Sequence, residues 1–294
     1  MTRETRIGLA AGSGAYLIWG LLPLYLKLLT GVPAADVLAH RVLWSVLIVG
    51  VLMAALAGWP RLRAALAQPR LLALLFASAI AIACNWLIYT TAILGGHVLD
   101  ASLGYFINPL INVLFGVAFL HEQLGRLQWL AVACALAGVL VLTVALGQLP
   151  LVALGVATSF AVYGLIRKQA PVDAATGLFI ETLMLAPFAL LWLATRPDGP
   201  LAWPAPMLML LALSGLITAA PLMLFSVAAR RLKLTTLGLM QYFTPSVVML
   251  QAVFLFGEVL DTPRILAFCL IWLGLALYTV SLSRAAVAPA PHTR

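Results

Sequence analysis

The sequence predicts an all-α integral membrane protein with ten transmembrane helices, built from two inverted repeats of five helices. The composition, the length of the apolar segments and a similarity between the two halves of the chain all point to this fold. Of the 294 residues, 64% are hydrophobic and only 9% are charged, whereas soluble proteins are about 45–50% apolar and about 25% charged. Because no soluble core could cover so much apolar surface, lipid must surround most of the chain.

Ten apolar segments have the length of ~20 residues that a helix needs to cross a hydrocarbon layer. They cover residues 7–29, 34–57, 70–94, 99–120, 125–146, 149–169, 174–195, 203–228, 234–256 and 263–283. The strands of a membrane β-barrel alternate apolar and polar residues, and these segments do not. The segments are therefore predicted to be helices.

The first segment has some features of a secretion signal, because it follows Arg3 and Arg6. However, the uncharged run from Ile7 to Leu26 is longer than the apolar part of a signal peptide. We therefore expect a retained first helix.

The basic residues are distributed unevenly among the predicted loops. When the N-terminus is placed in the cytoplasm, 13 of the 17 lysines and arginines lie on the cytoplasmic side, as the positive-inside rule requires. An even number of helices then places the C-terminus there as well, with residues 285–294 as a disordered tail. The excess of 17 basic over 9 acidic residues thus sets the topology and predicts no nucleic-acid partner.

The two halves of the chain resemble each other, which predicts one repeat in residues 1–147 and a second in residues 148–284. An offset of 136 residues aligns Tyr89 with Phe225, Pro109 with Pro245, Glu122 with Glu258 and Gly138 with Gly274. An offset of 144 aligns Trp19 with Tyr163 and Gly20 with Gly164. Because each repeat holds an odd number of helices, the second repeat enters the membrane from the opposite side.

Inverted repeats are a recurrent plan of secondary transporters, which bind the substrate near the midplane and rock to expose it to either side. We therefore expect a transporter of small molecules that works by alternating access. A membrane channel, or a multi-helix membrane protein without a transport role, is the alternative.

Enzymatic motifs are incomplete in this sequence. His121 and Glu122 begin a zinc-protease motif, but Gly125 stands where the second histidine is required. The chain also lacks the Gly-Lys pair of a phosphate-binding loop. We expect no enzymatic activity, no cofactor and no metal site.

Each half contains a proline followed thirteen residues later by a glutamate. Longer distinctive segments are residues 16–25, 40–45, 85–89, 102–110 and 241–245. Together these features resemble the EamA family of the drug/metabolite transporter superfamily, and within it the RarD-type permeases. The resemblance implies a multi-pass permease of the bacterial inner membrane that exports metabolites, amino-acid-like compounds or drugs.

Three histidine, arginine or glutamate residues lie more than one turn inside predicted spans, where a charge costs about 2.5–3.5 kcal/mol near the helix centre. They are His40 and Arg41 in the second helix and Glu181 at the corresponding depth of the seventh. We expect Arg41 to hold a substrate carboxylate or phosphate. Glu181 is expected to pair with Arg41, meet a substrate amine or carry a coupling proton, and His40 can also titrate. Structural pairing between helices is the alternative.

Five prolines inside predicted helices are candidates for helix breaks: Pro23, Pro109, Pro187, Pro221 and Pro245. Each leaves the carbonyl four residues earlier without its N–H donor, which in lipid requires protein or a cavity to satisfy it. Trp19, Tyr105 and Gln241 carry three of these carbonyls, so we expect them where helices break beside a central cavity. Kinks that serve only packing are the alternative.

Neutral polar and aromatic residues complete the candidate site. Asn85 and Asn108 add hydrogen-bonding groups, and Tyr89, Tyr163 and Tyr242 add aromatic walls. Such a pocket suits small amphipathic molecules, although each asparagine could instead bond one helix to another.

Glu122 and Glu258 end the fourth helix of each half, and we expect them to cap helices or contact loops.

The expected partners are a small-molecule substrate, the lipid bilayer and a coupling proton. The protein is expected to be a monomer or a homodimer.

Overall fold

A computed structural model describes residues 2–55, 58–121, 123–147, 149–196 and 203–287. Within these ranges the regular secondary structure consists of helices alone. The helices of the first half are α1 (Arg3–Lys27), α2 (Ala34–Ala55), α3 (Trp59–Leu66), α4 (Pro69–Leu94), α5 (Val98–Leu120) and α6 (Arg126–Leu146). Those of the second half are α7 (Leu151–Gln169), α8 (Ala174–Ala194), α9 (Ala205–Arg231), α10 (Leu234–Gln241), α11 (Phe243–Phe254) and α12 (Thr262–Val287).

Each of the ten predicted segments is helical, with one division and one addition. The ninth segment is divided into α10 and α11 at Tyr242, and the short helix α3 lies in a connection that was predicted to be a loop. Eight of the described helices are long and apolar enough to cross a membrane, and two shorter apolar helices cover 243–254 and 262–274. Helix α12 continues to Val287, and residues 288–294 lie outside the described residues.

Helix ends follow local sequence signals. The Asp173 side chain precedes α8 and accepts a hydrogen bond from the Thr176 N–H at 3.1 Å, which satisfies a donor that the first helical turn leaves free. Gly147 ends α6 with a φ of 65°, a left-handed conformation that glycine adopts without a Cβ penalty. These caps fix where α8 begins and α6 ends.

Four of the five predicted helix breaks are wrong. Helices α1, α5, α8 and α9 continue through Pro23, Pro109, Pro187 and Pro221 respectively. A proline removes a single backbone hydrogen bond, and the flanking bonds are enough to keep each helix continuous. Consequently Trp19 and Tyr105 lie within unbroken helices, whereas Gln241 does end α10, just before Pro245 in α11.

The helices pack as a bundle around buried tyrosines. Helix α1 packs on α9, α2 packs on α8 and α9, α4 and α5 pack on α7, and α6 packs on α12. Tyr16, Tyr89 and Tyr163 are among the largest side chains that are almost completely buried. The bundle thus brings residues of α1, α2, α4, α5, α7, α8 and α9 to a common interior.

Candidate functional site

Arg41 on α2 is buried, with 2% of its surface exposed. Its Nε donates to Thr218 Oγ1 of α9 at 2.9 Å, and its Nη1 donates to Thr90 Oγ1 of α4 at 3.3 Å. Its guanidinium carbon lies 4.9 Å from the centre of the Trp86 ring, within the range of a cation–π interaction. We call these four residues the Arg41 site.

Three tyrosines lie near the guanidinium, namely Tyr25, Tyr89 and Tyr105. The Tyr89 and Tyr105 ring centres are 5.2 Å apart. The Tyr25 hydroxyl donates to the Leu210 carbonyl at 2.8 Å, whereas the buried Tyr89 hydroxyl has no hydrogen-bond partner among the described residues. The structure therefore brings Tyr89 and Tyr105 together beside Arg41.

Glu181 on α8 pairs with Arg167, near the end of α7. Arg167 Nη1 lies 3.5 Å from Glu181 Oε1, and both side chains are 1% exposed. Ser78 of α4 donates to the same carboxylate oxygen at 2.7 Å, and Arg167 Nη2 donates to Ser226 Oγ of α9 at 3.3 Å. We call these four residues the Arg167–Glu181 site. The expected pairing of Glu181 with Arg41 is wrong, because Arg167 occupies that role.

Gly177 makes room for this ion pair. A Cβ at this position would overlap the Arg167 guanidinium. Gly177 and Glu181 are four residues apart on α8, so they lie on the same face of the helix. The face of α8 therefore forms a slot in which the guanidinium fits beside its counter-ion.

Aromatic rings connect the surroundings of the two sites. The Trp19 ring centre lies 5.3 Å from that of Phe160 and 5.7 Å from that of Phe225, and Tyr16 lies 5.7 Å from Trp19. We call Tyr16, Trp19, Phe160 and Phe225 the aromatic cluster. All four side chains are buried, so the cluster is a packed group of rings inside the bundle.

The aromatic cluster contacts a tyrosine of each neighbourhood. Tyr105, beside Arg41, lies 6.2 Å from Phe160 between ring centres. Tyr163 stacks on Phe225 at 6.0 Å and interacts electrostatically with Glu181 and Arg167. The predicted aromatic residues Trp19, Tyr105 and Tyr163 therefore form one continuous path between the charged sites.

A cavity of about 550 Å³ adjoins the break between α10 and α11. Its lining consists of Ser13, Tyr16, Leu17, Met240, Tyr242, Phe243 and Ser246. Gln241 is buried next to it, and its Oε1 has no hydrogen-bond partner among the described residues. Gln241 and Tyr242 thus lie at a helix break beside a cavity, as expected, but on the α1 side of the bundle and apart from the described contacts of Arg41.

Both predicted asparagines hold helices together. Asn85 Nδ2 donates to the Val156 carbonyl at 2.8 Å, and Asn108 Nδ2 donates to the Ala157 carbonyl at 2.6 Å. These bonds join α4 and α5 to α7. The described contacts therefore match the helix-to-helix alternative for both residues.

His40 is buried, and its Nε2 has no hydrogen-bond partner in the described chain. It lies one turn after Asp36, whose carboxylate accepts from Trp192 Nε1 at 2.9 Å and lies 3.3 Å from Arg196 Nε. His40 therefore neighbours an ion pair that joins α2 to the end of α8.

Glu258 caps α5, as expected for a glutamate at this place. Its two carboxylate oxygens accept hydrogen bonds from the backbone N–H groups of Val98 and Leu99 at 2.9 and 3.0 Å. A carboxylate at a helix N-terminus is also favoured by the helix dipole. Glu122, the predicted counterpart, lies outside the described residues.

A family model described as the EamA-like transporter family matches the chain twice, over residues 6–144 and 149–280. This chain belongs to the EamA-like transporter family. An uncharacterized transporter of Pseudomonas aeruginosa is 47% identical over 285 residues, which is 95% of each chain. Protein RarD of Escherichia coli is 42% identical over 282 residues, again 95% of each chain.

A solved crystal structure is similar to this EamA-like transporter over 96% of this chain and 99% of its own, with a TM-score of 0.67 at 21% identity. At that identity the likeness supports the fold alone. The family and the apolar helices together identify a multi-pass protein of the bacterial inner membrane, with lipid and a small-molecule substrate as its partners.

The sequence analysis did not identify Arg167 as a site residue, because it counted Arg167 among the 13 basic residues on the cytoplasmic side. Two signals could have identified it. Arg167 lies within the predicted span 149–169, and Gly177 leaves space on the helix that carries Glu181. Thr90 and Thr218 carried no signal in the sequence, because a threonine in an apolar helix is common.

Proposed function

We propose that this EamA-like transporter is a secondary transporter that exports small metabolites, amino-acid-like compounds or drugs by alternating access. The observation that carries the proposal is the pair of buried charged sites, which a series of aromatic ring contacts connects. Arg41 is the eighth residue of α2 and Glu181 is the eighth residue of α8. In the proposed topology these helices start at opposite membrane surfaces, so each site serves one side.

The proposed architecture has ten spans in two inverted repeats, one in residues 1–147 and one in residues 148–284. The packing supports it, because the contacts map onto one another when the repeats are exchanged. Helix α1 of the first repeat is equivalent to α7 of the second, and α4 is equivalent to α9. The contact of α1 with α9 therefore corresponds to the contact of α7 with α4. In the other two contacts, α2 with α8 and α6 with α12, each helix packs against its own equivalent. The two matches of the family model fall on the same halves.

Close glycine contacts support the same symmetry at the level of single residues. A Cβ on Gly138 would lie 3.0 Å from the Ala267 carbonyl oxygen, and one on Gly274 would lie 2.7 Å from that of Ala131. Gly138 aligns with Gly274 and Ala131 aligns with Ala267 at the same offset of 136 residues. At the α6–α12 interface, the glycine of each helix therefore lies against the equivalent alanine of the other helix.

In the proposed cycle the substrate binds between the halves, and the aromatic cluster moves to open one side at a time. Substrate contacts are assigned to His40, Arg41, Trp19, Tyr89 and Tyr105 near one site. The proposed substrate contacts near the Arg167–Glu181 site and the break between α10 and α11 are Tyr163, Glu181, Gln241 and Tyr242. Asn85 and Asn108 hold the surrounding helices in place.

Glu181 is the proposed carrier of a coupling proton. Its Oε1 accepts from Ser78 and contacts Arg167, whereas its buried Oε2 has no hydrogen-bond partner among the described residues. A carboxylate oxygen without a donor is free to accept a proton. Protonation would remove the charge that holds Arg167, and α7 and α8 could then separate.

Both termini are proposed to lie in the cytoplasm, since that orientation puts the basic loops inside. The protein is proposed to act as a monomer or a homodimer, because each chain contains both repeats.

Reconstituted vesicles test transport directly. Arg41→Ala and Glu181→Gln are expected to insert at normal levels and to lose uptake of the substrate. If Glu181 carries the proton, its Gln variant should keep substrate exchange and lose the response to a pH gradient. Wild-type uptake in both variants would remove the two residues from the mechanism.

Counterflow separates a carrier from the alternatives. A carrier exchanges labelled for unlabelled substrate, whereas a channel does not, and a membrane protein without a transport role shows no uptake at all. To find the substrate and the direction, the metabolites of cells with and without the protein are compared inside and in the medium. An exporter should lower the internal amount and raise the external amount of its substrate.

A further inference from the structure

Arg41 carries a buried positive charge that no carboxylate of the described chain neutralises. Seven of the nine acidic residues lie in the described ranges, and Glu122 and Asp198 lie outside them. Each of the seven has another partner. The pairs are Glu4 with Arg231, Asp36 with Arg196, Asp100 and Asp261 with Arg264, Asp173 with Thr176, Glu181 with Arg167, and Glu258 with the backbone of Val98 and Leu99.

Hydrogen-bond donors remain at this site. A guanidinium has five N–H groups, and Arg41 uses Nε for Thr218 and Nη1 for Thr90, while Nη2 donates to no residue of the described chain. The Tyr89 hydroxyl is likewise without a hydrogen-bond partner among the described residues, and it lies near the Arg41 guanidinium. The Arg41 site therefore offers one positive charge and at least two donors.

The surroundings define the rest of the ligand. Trp86 covers one face of the guanidinium, and Tyr89 and Tyr105 form a pair of rings next to it. Tyr105 in turn contacts Phe160 of the aromatic cluster. An apolar or aromatic body attached to the charged group would therefore find aromatic surface within reach.

We propose that the Arg41 site binds the carboxylate of an amphipathic aromatic acid, with Arg41 Nη2 and the Tyr89 hydroxyl as donors. This inference rests on the proposed transport function and specifies its substrate class. A buried guanidinium favours a single negative charge, because binding neutralises it. A phosphate dianion would leave one negative charge among neutral hydroxyls, and an amine would add a second positive charge.

The Arg167–Glu181 site does not compete for the same ligand. Its arginine already has a counter-ion at 3.5 Å, so an added carboxylate would place two negative charges around one cation. The selectivity for anions is therefore assigned to Arg41 alone.

Three probes of nearly equal shape test the charge preference: 3-phenylpropionate, 3-phenylpropanamide and 3-phenylpropylamine. Binding to the purified full-length protein in detergent is measured by calorimetry at pH 7. We expect the acid to bind at least about tenfold more tightly than the amide, since a hydrogen bond to a charged group is the stronger kind. The amine should not bind measurably at this site.

Three variants assign the binding to the site. Arg41→Met should weaken binding of the acid by about 30-fold or more, because it removes the partner of a buried charge. Tyr89→Phe should weaken it by about tenfold through loss of one charge-assisted hydrogen bond. Ser45→Ala is the control for loss of a buried hydroxyl, because Ser45 lies one turn after Arg41 on α2 and donates to the Gly215 carbonyl, and it should leave binding unchanged.

The outcomes separate this inference from the transport proposal. Equal affinity for the acid and the amide, no binding of the acid, or full binding by Arg41→Met would overturn the anion site. Exchange of the amide or the amine in vesicles, without the acid, would also overturn it while supporting transport. Binding of the acid that depends on Arg41, with no exchange of any probe, would uphold the site and contradict the transport function.

Discussion

The Arg41 site and the Arg167–Glu181 site each bury an arginine, but only the second supplies a counter-ion. Arg41 contacts two hydroxyls and an aromatic ring, whereas Arg167 lies 3.5 Å from a carboxylate. Burial of a charge is expensive unless an opposite charge compensates it. The Arg167–Glu181 site therefore contains its own counter-ion, whereas Arg41 has none among the described residues, and in our proposal a ligand supplies that charge.

Removal of each arginine should have the largest and most unequal effect. Arg167→Met leaves Glu181 buried without its partner, so we expect it to lower the free energy of unfolding by about 3–5 kcal/mol. Arg41→Met leaves no carboxylate behind, and the loss should be under about 1 kcal/mol, because a methionine fits a buried apolar setting. Equilibrium unfolding of the purified proteins in detergent measures both values.

A double variant controls for packing in this experiment. Arg167→Met combined with Glu181→Met should recover most of the loss, because neither charge remains. If Arg167→Met and Arg41→Met lost similar amounts of unfolding free energy, the two arginines would be compensated to the same extent by the protein. That result would contradict the difference between the two sites.

A substitution of Gly177, which leaves space for Arg167, should have a smaller effect on stability than the loss of Arg167 itself. Gly177→Ala places a Cβ where the Arg167 guanidinium lies, so the arginine must move and its bond to Glu181 weakens. We expect a loss of about 1–3 kcal/mol, the usual range for an overfilled interior, measured by thermal or chemical unfolding. Gly164→Ala on α7 is the matched control, because its Cβ would lie 3.6 Å from Phe225, an ordinary contact. Equal stability of the two variants would mean that Gly177 does not hold the ion pair.

The smallest expected effect concerns the cap of α8, the helix that carries Glu181. Partial burial raises the pKa of Asp173, but hydrogen bonds from Thr176 and the charges of Arg61 and Arg230 lower it by more. The folded pKa therefore lies below the unfolded value of about 3.9. The charge of Asp173 stabilises the fold at neutral pH, and this contribution is lost as the pH falls through the folded pKa.

Asp173→Asn keeps a capping side chain and removes the charge. We expect the variant to be less stable than the wild type by about 0.3–1 kcal/mol at pH 7, and the difference to shrink as the pH falls below the unfolded pKa of about 3.9. Unfolding curves across this range measure it. A difference in stability that stays constant with pH would show that the charge of Asp173 does not stabilise α8.

Sequence patterns predicted the helices far better than the contacts between them. Hydropathy located the eight helices that are long and apolar enough to cross a membrane, because a membrane helix needs a long apolar run whatever its neighbours are. The division at Tyr242 was also accessible, since Pro245 frees the carbonyl of Gln241. Pro23 and Pro109 gave the same local signal without a break, because the outcome depends on packing that the local sequence does not contain.

The candidate site could be predicted only in part for a related reason. An arginine and a glutamate inside apolar helices were recognisable as expensive, and both are buried. Their partners were not recognisable, because the choice between Arg41 and Arg167 for Glu181 depends on how all the helices are arranged in the bundle. Gly177 leaves space for Arg167 on α8, but a glycine in an apolar helix does not by itself show which side chain fills that space.

The unpaired charge of Arg41 also has an electrical consequence. In the empty protein it adds one elementary charge to the part of the molecule that lies in the transmembrane field, and a bound carboxylate cancels it. A charge that crosses the full potential difference changes the free energy by about 2.3 kcal/mol per 100 mV. Reorientation of the empty protein should therefore respond to membrane voltage, whereas reorientation of the loaded protein should not.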